Sequence, residues 1–145
     1  MDCSFSYHII KEHHVLITHY SGKLTMKDYI KSVKTFMADP DFIPGMNMLI
    51  DCRNCLAISF SADLADFNDF FNGNFSLKST IKVGVLVSSP NMLFLMKMYK
   101  PIGKLQKMHI ETFKSEAEVF EFLGFGNKEG LELAECMFNL RSIQH

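Results

Sequence analysis

The chain has no tryptophan, only four cysteines and four prolines, and a formal charge of −1 from 15 basic and 16 acidic side chains in 145 residues. Four scattered cysteines, Cys3, Cys52, Cys55 and Cys136, are too few for a secreted disulfide framework and are read as thiols of a reducing compartment. Near-neutral charge sets up no field to gather nucleic acid or an anionic membrane, so no nucleic-acid partner is expected. Lys97, Lys100, Lys104 and Lys107 make a local basic run, read as a solvated helix face and loop. No apolar run approaches the roughly 18 residues of a membrane span, and Met1-Asp2-Cys3-Ser4 lacks the basic and apolar regions of a signal peptide. The expectation is a cytoplasmic protein with no membrane span.

Enzyme signatures are missing as well. The chain contains no phosphate loop, no GxGxxG, no GxSxG and no HExxH, and its six histidines show neither HxxxH nor HxH spacing. They are read as surface and turn residues. No metal, no cofactor and no catalytic set is expected, and an enzyme ranks last among the readings.

What is present is an ample core. With 48% apolar residues, 14 of them phenylalanine and 10 methionine, the chain can fold as one ordinary domain. Two β-rich runs, 5–11 and 15–20, flank the polar link Glu12-His13-His14 and should pair as an antiparallel hairpin. Ser21-Gly22-Lys23-Leu24 is read as the break that ends the second run. Thr25 with Asp28 three residues on resembles a capping box and opens a helix over 26–38, with Tyr29, Val33, Phe36 and Met37 on its apolar stripe. Further strands are expected at 46–52, 81–87 and 108–113, and further helices at 61–71, 92–99 and 116–123, the last capped by Ser115 with Glu118. The order is ββαβαβαβα, an α/β fold with helices packed on a mixed sheet. An added helix at 128–140 carries Leu131, Ala134, Met137, Phe138 and Leu140, an apolar face for the body or for a second copy, which would make a homo-oligomer. The division is a domain over 1–125 and a helical extension over 126–145.

The strand at 46–52 closes on Leu49-Ile50-Asp51-Cys52-Arg53, and functional sites in α/β proteins gather outside the carboxyl ends of such strands. Cys52-Arg53-Asn54-Cys55 is a lone CxxC in the loop that follows. Redox use requires such a motif to open a helix, and zinc requires a second ligand pair, so packing is the default reading. Ser59 and Ser61 stand before the second helix, where a hydroxyl either caps the helix or takes a phosphate. The helix at 92–99 is apolar nearly all round, so Met92 and Met96, with Phe67, Phe70 and Phe71, either fill the core or line an apolar pocket.

These residues in this order resemble a known family. The Leu49-Ile50-Asp51-Cys52-Arg53 strand end, the Phe60-Ser61-Ala62-Asp63-Leu64 helix start and the closing Phe113-Lys114-Ser115-Glu116-Ala117-Glu118 are similar to the STAS domain, the SpoIIAA-like fold of anti-sigma factor antagonists, and more closely to its stand-alone bacterial branch. The resemblance implies a non-enzymatic interaction or regulatory domain with a protein partner, bound around Asp51, Arg53, Ser59, Ser61 and Asp63. It also implies a phosphoacceptor at Ser61, where this chain has Asp63 in place of the glycine of the family's Asp-Ser-Ser-Gly-Leu pattern. The alternative is a binder or sensor of an apolar small molecule or lipid, by analogy with CRAL-TRIO domains.

Overall fold

The computed structural model describes residues 3–58, 64–74, 79–90, 92 and 107–143. Period-two alternation carries the chain into β1 (Ser4–Ile10) and β2 (Val15–Thr25), paired antiparallel from Ser4 opposite Ser21 to Ile10 opposite Val15. The link Lys11–His13 is a 3-10 turn closed by His14 in the left-handed region at φ 49°. β2 does not stop at Ser21 but runs on to Thr25, because a parallel neighbour continues to pair with it. Helix α1 (Met26–Met37) begins at the predicted capping box. Thr25 Oγ1 accepts from the Asp28 amide at 3.1 Å, and the Asp28 carboxylate reaches back to the Thr25 amide at 3.5 Å.

There follow β3 (Asn47–Ile58), α2 (Leu64–Asn74), β4 (Ile81–Leu86), β5 (Met108–Phe113), α3 (Glu116–Phe122) and α4 (Asn127–Ile143). The five strands lie in the order β1-β2-β3-β4-β5, with β2 to β5 mutually parallel and β1 the antiparallel edge. This is the mixed α/β sheet read from the sequence. The helix expected at 92–99 lies, apart from Met92, outside the described residues.

Alternation divides the core into two. Leu16, Tyr20, Met48, Ile50, Val83 and Val85 point towards α1 and α2, with Val33, Phe36 and Phe67 closing over them. Val15, Ile17, Leu49 and Leu86 point the other way and meet Val119 and Phe120 of α3 and Leu133, Met137 and Leu140 of α4. α4 therefore packs on the body, although Leu131 and Phe138 of its expected apolar face are 74% and 61% exposed. Gly84 lets α3 approach: a Cβ there would overlap Cγ2 of Val119. At the far end of α3, Gly124 takes φ 87°, and the amides of Phe125 and Gly124 bond back to the carbonyls of Phe120 and Glu121 at 2.9 and 3.0 Å. That is a Schellman stop, which turns the chain into α4.

Candidate functional site

β3 carries a bulge at its midpoint. His19 pairs with Asp51 and Ser21 with Asn54, so Tyr20 alone faces both Cys52 and Arg53. An extra residue of this kind twists the strand and resets which face the following side chains take. Cys52 lies in the α1/α2 core, and Cys55 and Ala57 pack against that same core although they stand three and five positions after Cys52. The CxxC is thus part of a strand rather than a loop, because β2 keeps pairing past it as far as Ile58.

On the opposite face the bulge gathers charge. Asp51 is 1% exposed. Its Oδ2 accepts from Nδ1 of His19 at 3.1 Å and from Nη2 of Arg53 at 2.9 Å, while Oδ1 accepts from the Arg53 amide at 3.2 Å and Nε at 2.9 Å. Arg53 Nη2 also meets Glu116 Oε2 at 2.9 Å in the first turn of α3. Arg141, in the last turn of α4, stands 3.4 Å from Glu116 and 3.8 Å from Asp51. The Arg53 carbonyl accepts from Ser88 Oγ at 2.8 Å, which ties the loop after β4 to the same point.

Burial pushes the Asp51 carboxyl up, yet the hydrogen bonds from His19 and Arg53 and the guanidinium charge outweigh it and hold the group well below the usual carboxylate range. An ionised Asp51 only accepts, so the Nδ1 of His19 carries its proton towards it. His19, 2% exposed, is therefore a buried structural partner and not a surface residue. With an acceptor that holds no proton and two arginines that do not release theirs, the cluster acts as a clamp joining β2, β3, α3 and α4.

Cys3, Cys52 and Cys136 are held as neutral thiols. Cys52 is pushed up by its hydrogen bond with Cys55 and by burial, and burial pushes Cys3 and Cys136 up to about 11. Cys55 Sγ donates to the Cys52 carbonyl at 3.6 Å. Among the described residues no three His, Cys, Asp or Glu side chains converge as a metal site would require.

Of the residues singled out by sequence, Asp51 and Arg53 come together, but Asp51 is enclosed instead of lining a partner surface, because the helices added later in the chain close over it. Arg53 is half-buried. Ser59, Ser61 and Asp63 lie outside the described residues, as do Met96 and the side chain of Phe71. Phe67 and Met92 are buried in the α1/α2 core. Phe70 is half-buried, with Lys34 Nζ 6.0 Å from its ring centroid. Lys107 is exposed, and Lys97, Lys100 and Lys104 are outside the described residues. Sequence reasoning missed His19, Glu116 and Arg141, since nothing local links residues 32 and 25 positions apart.

Two open clefts among the described residues lie elsewhere. Between α1 and α2 a hollow of about 640 Å³ is bordered by Met26, Ile30 and Ile58, by Lys27, Lys31 and Lys34, and by Asp66. A smaller one of about 360 Å³ lies between β1 and α4, beside Tyr7, Glu135 and Asn139.

No family model and no curated protein matches the chain. Among solved structures it is similar to an uncharacterised protein of the DUF3478 family with a SpoIIAA-like fold from Shewanella loihica PV-4, at a TM-score of 0.54 and 15% identity, over 83% of this chain and 93% of that one. No helix among the described residues is long and apolar enough to cross a membrane. Strand order, the two helical layers and this likeness agree on one architecture: the chain has the SpoIIAA-like fold, the fold of STAS domains.

Proposed function

We propose that this chain is a non-enzymatic STAS-like binding domain that acts in the cytoplasm by engaging a protein partner at α2 and the C-terminal end of β3. The observation that carries this reading is the closed Asp51 cluster. The ionised groups collected at the β3 bulge neutralise one another across 2.9 to 3.8 Å, so they serve packing and leave recognition to another surface. That surface is the outer side of α2, where Ala65, Asp66 and Asp69 are exposed while Phe67 anchors the helix in the core. Ser61 and Asp63 precede it in sequence, where a phosphate would add about two negative charges and change what the face accepts.

The test is affinity capture from native extract, followed by reconstitution with the purified partner. One stoichiometric partner is expected, its affinity lowered by Asp63→Lys, Asp69→Lys and Ser61→Glu. Undiminished affinity in all three excludes this face. A turnover that Asp51→Asn abolishes in a folded protein would overturn the non-enzymatic assignment.

A further inference from the structure

The cleft between α1 and α2 joins apolar side chains to a row of exposed lysines. Met26 is buried at its base, and Ile30 and Ile58 are half-buried beside it. Lys27, Lys31 and Lys34 stand along the α1 wall at intervals of four and three residues, all exposed. This spacing puts them on one helix face, where like charges repel. Three other cations are answered: Lys11 meets Asp41 at 2.7 Å, and both Arg53 and Arg141 meet carboxylates. Among the described residues the three cleft lysines enter no ion pair, and Lys34 has only the face of Phe70. Asp66 is the single carboxylate among the described lining residues.

The volume of about 640 Å³ falls inside the range of roughly 300–1,000 Å³ typical of sites for small organic ligands. Apolar surface in a hollow favours a hydrocarbon chain, and a row of ammonium groups at its rim favours an anion. We infer that this cleft binds a single-chain amphiphilic anion, its chain against Met26, Ile30 and Ile58 and its carboxylate or phosphate head among Lys27, Lys31 and Lys34. The concave shape suits a free amphiphile rather than a bilayer face. The cleft shares Asp66 with the partner face proposed above, but its lysine row and apolar residues lie on α1 and β3 and do not rest on that reading.

The experiment is a calorimetric and amide-NMR titration of the full chain with dodecanoate below its micellar concentration. Saturable one-to-one binding is expected, with shifts centred on α1 and Ile58, and with dodecyl phosphate bound comparably. Dodecanol, with the same chain and no charge, and butyrate, with the charge and little chain, should each bind at least tenfold more weakly. Lys27→Glu/Lys31→Glu should lower dodecanoate affinity at least tenfold, and the exposed positions leave the fold intact. Ile30→Asp should abolish binding, and raised salt should weaken it. Equal affinity for dodecanol and dodecanoate, indifference to the double charge reversal, or shifts confined to another face would overturn the inference. So would sedimentation with phosphatidylglycerol vesicles in a protein that ignores soluble dodecanoate. Retention of the protein partner by the Lys27→Glu/Lys31→Glu variant separates this site from the partner surface.

Discussion

Under α3 and α4, two arginines, two carboxylates and a histidine are folded in upon one another, whereas between α1 and α2 three lysines stand along an open cleft with one carboxylate opposite. The same sheet supports both arrangements, and its alternation decides which charge goes where. Charge that points to the α3/α4 side meets a complement supplied by later helices and becomes structural. Charge on α1 meets apolar floor and solvent, and so remains available to a ligand. The contrast separates a polar cluster that looks functional in sequence from a groove that does not.

The deepest break in this contrast comes from Asp51→Ala. It leaves the Arg53 and Arg141 guanidinium groups and the His19 ring facing an uncompensated cavity, and a stability loss of about 3–5 kcal/mol is expected in urea unfolding. A loss under 1 kcal/mol would mean that the clamp is ornamental and that its charges are as free as the lysines. Next is Gly84→Ala, which forces Val119 and α3 away from β4. Overpacking of this kind costs about 1–3 kcal/mol, read from the same curves, without touching any charge.

Acid sharpens the comparison further. Because the folded-state pKa of Asp51 is depressed, its stabilisation is fully present above the unfolded value of about 3.9 and is lost as pH falls through and below it. Thermal melts of the native chain should therefore drop as pH falls below about 4, and the drop should be shallower in Asp51→Asn. An identical acid limb in both proteins would deny Asp51 this role. Arg141→Gln, at 3.4 and 3.8 Å from its acids and partly exposed, should cost about 1 kcal/mol or less, and mainly at low salt. The smallest effect belongs to the other side of the sheet. Lys27→Glu/Lys31→Glu should change stability by no more than about 0.5 kcal/mol, since both side chains are exposed.

Much of the framework is legible because it is local. The capping pair Thr25 and Asp28 announces α1, Ser115 and Glu118 announce α3, and the largely apolar, β-branched run 81–87 announces a covered strand. Where the sequence misleads, the cause is tertiary. Ser21 to Leu24 and Arg53 to Cys55 look like loop, but the two segments pair with each other and so become strand. Ser32 looks like a polar helix position, yet it is buried: Tyr20 donates to its hydroxyl at 2.6 Å and it passes its own hydrogen to the Tyr29 carbonyl at 2.6 Å. Asp51 could be read as marking a strand end, but not as enclosed, because Glu116 and Arg141 reach it only after the whole chain has folded. The lysine row of α1 draws no notice in the sequence, because Lys27, Lys31 and Lys34 are ordinary residues of an exposed helix face. Its apolar neighbour Ile58 joins it only through the unexpected length of β3.

That length has a mechanical consequence. Pairing with β1 ends at Ser21 and pairing with β4 ends at Asp51, so past the bulge the five-stranded sheet narrows, among the described residues, to a two-stranded ribbon of Ser21 to Thr25 with Asn54 to Ile58. A wide sheet resists bending and a narrow ribbon yields. The bulge is therefore the fulcrum of a short lever whose fixed end is the Asp51 clamp and whose free end carries Thr25, the first cap of α1, and Ile58, the floor of the cleft. A ligand in the cleft would rest on this ribbon rather than on the wide part of the sheet.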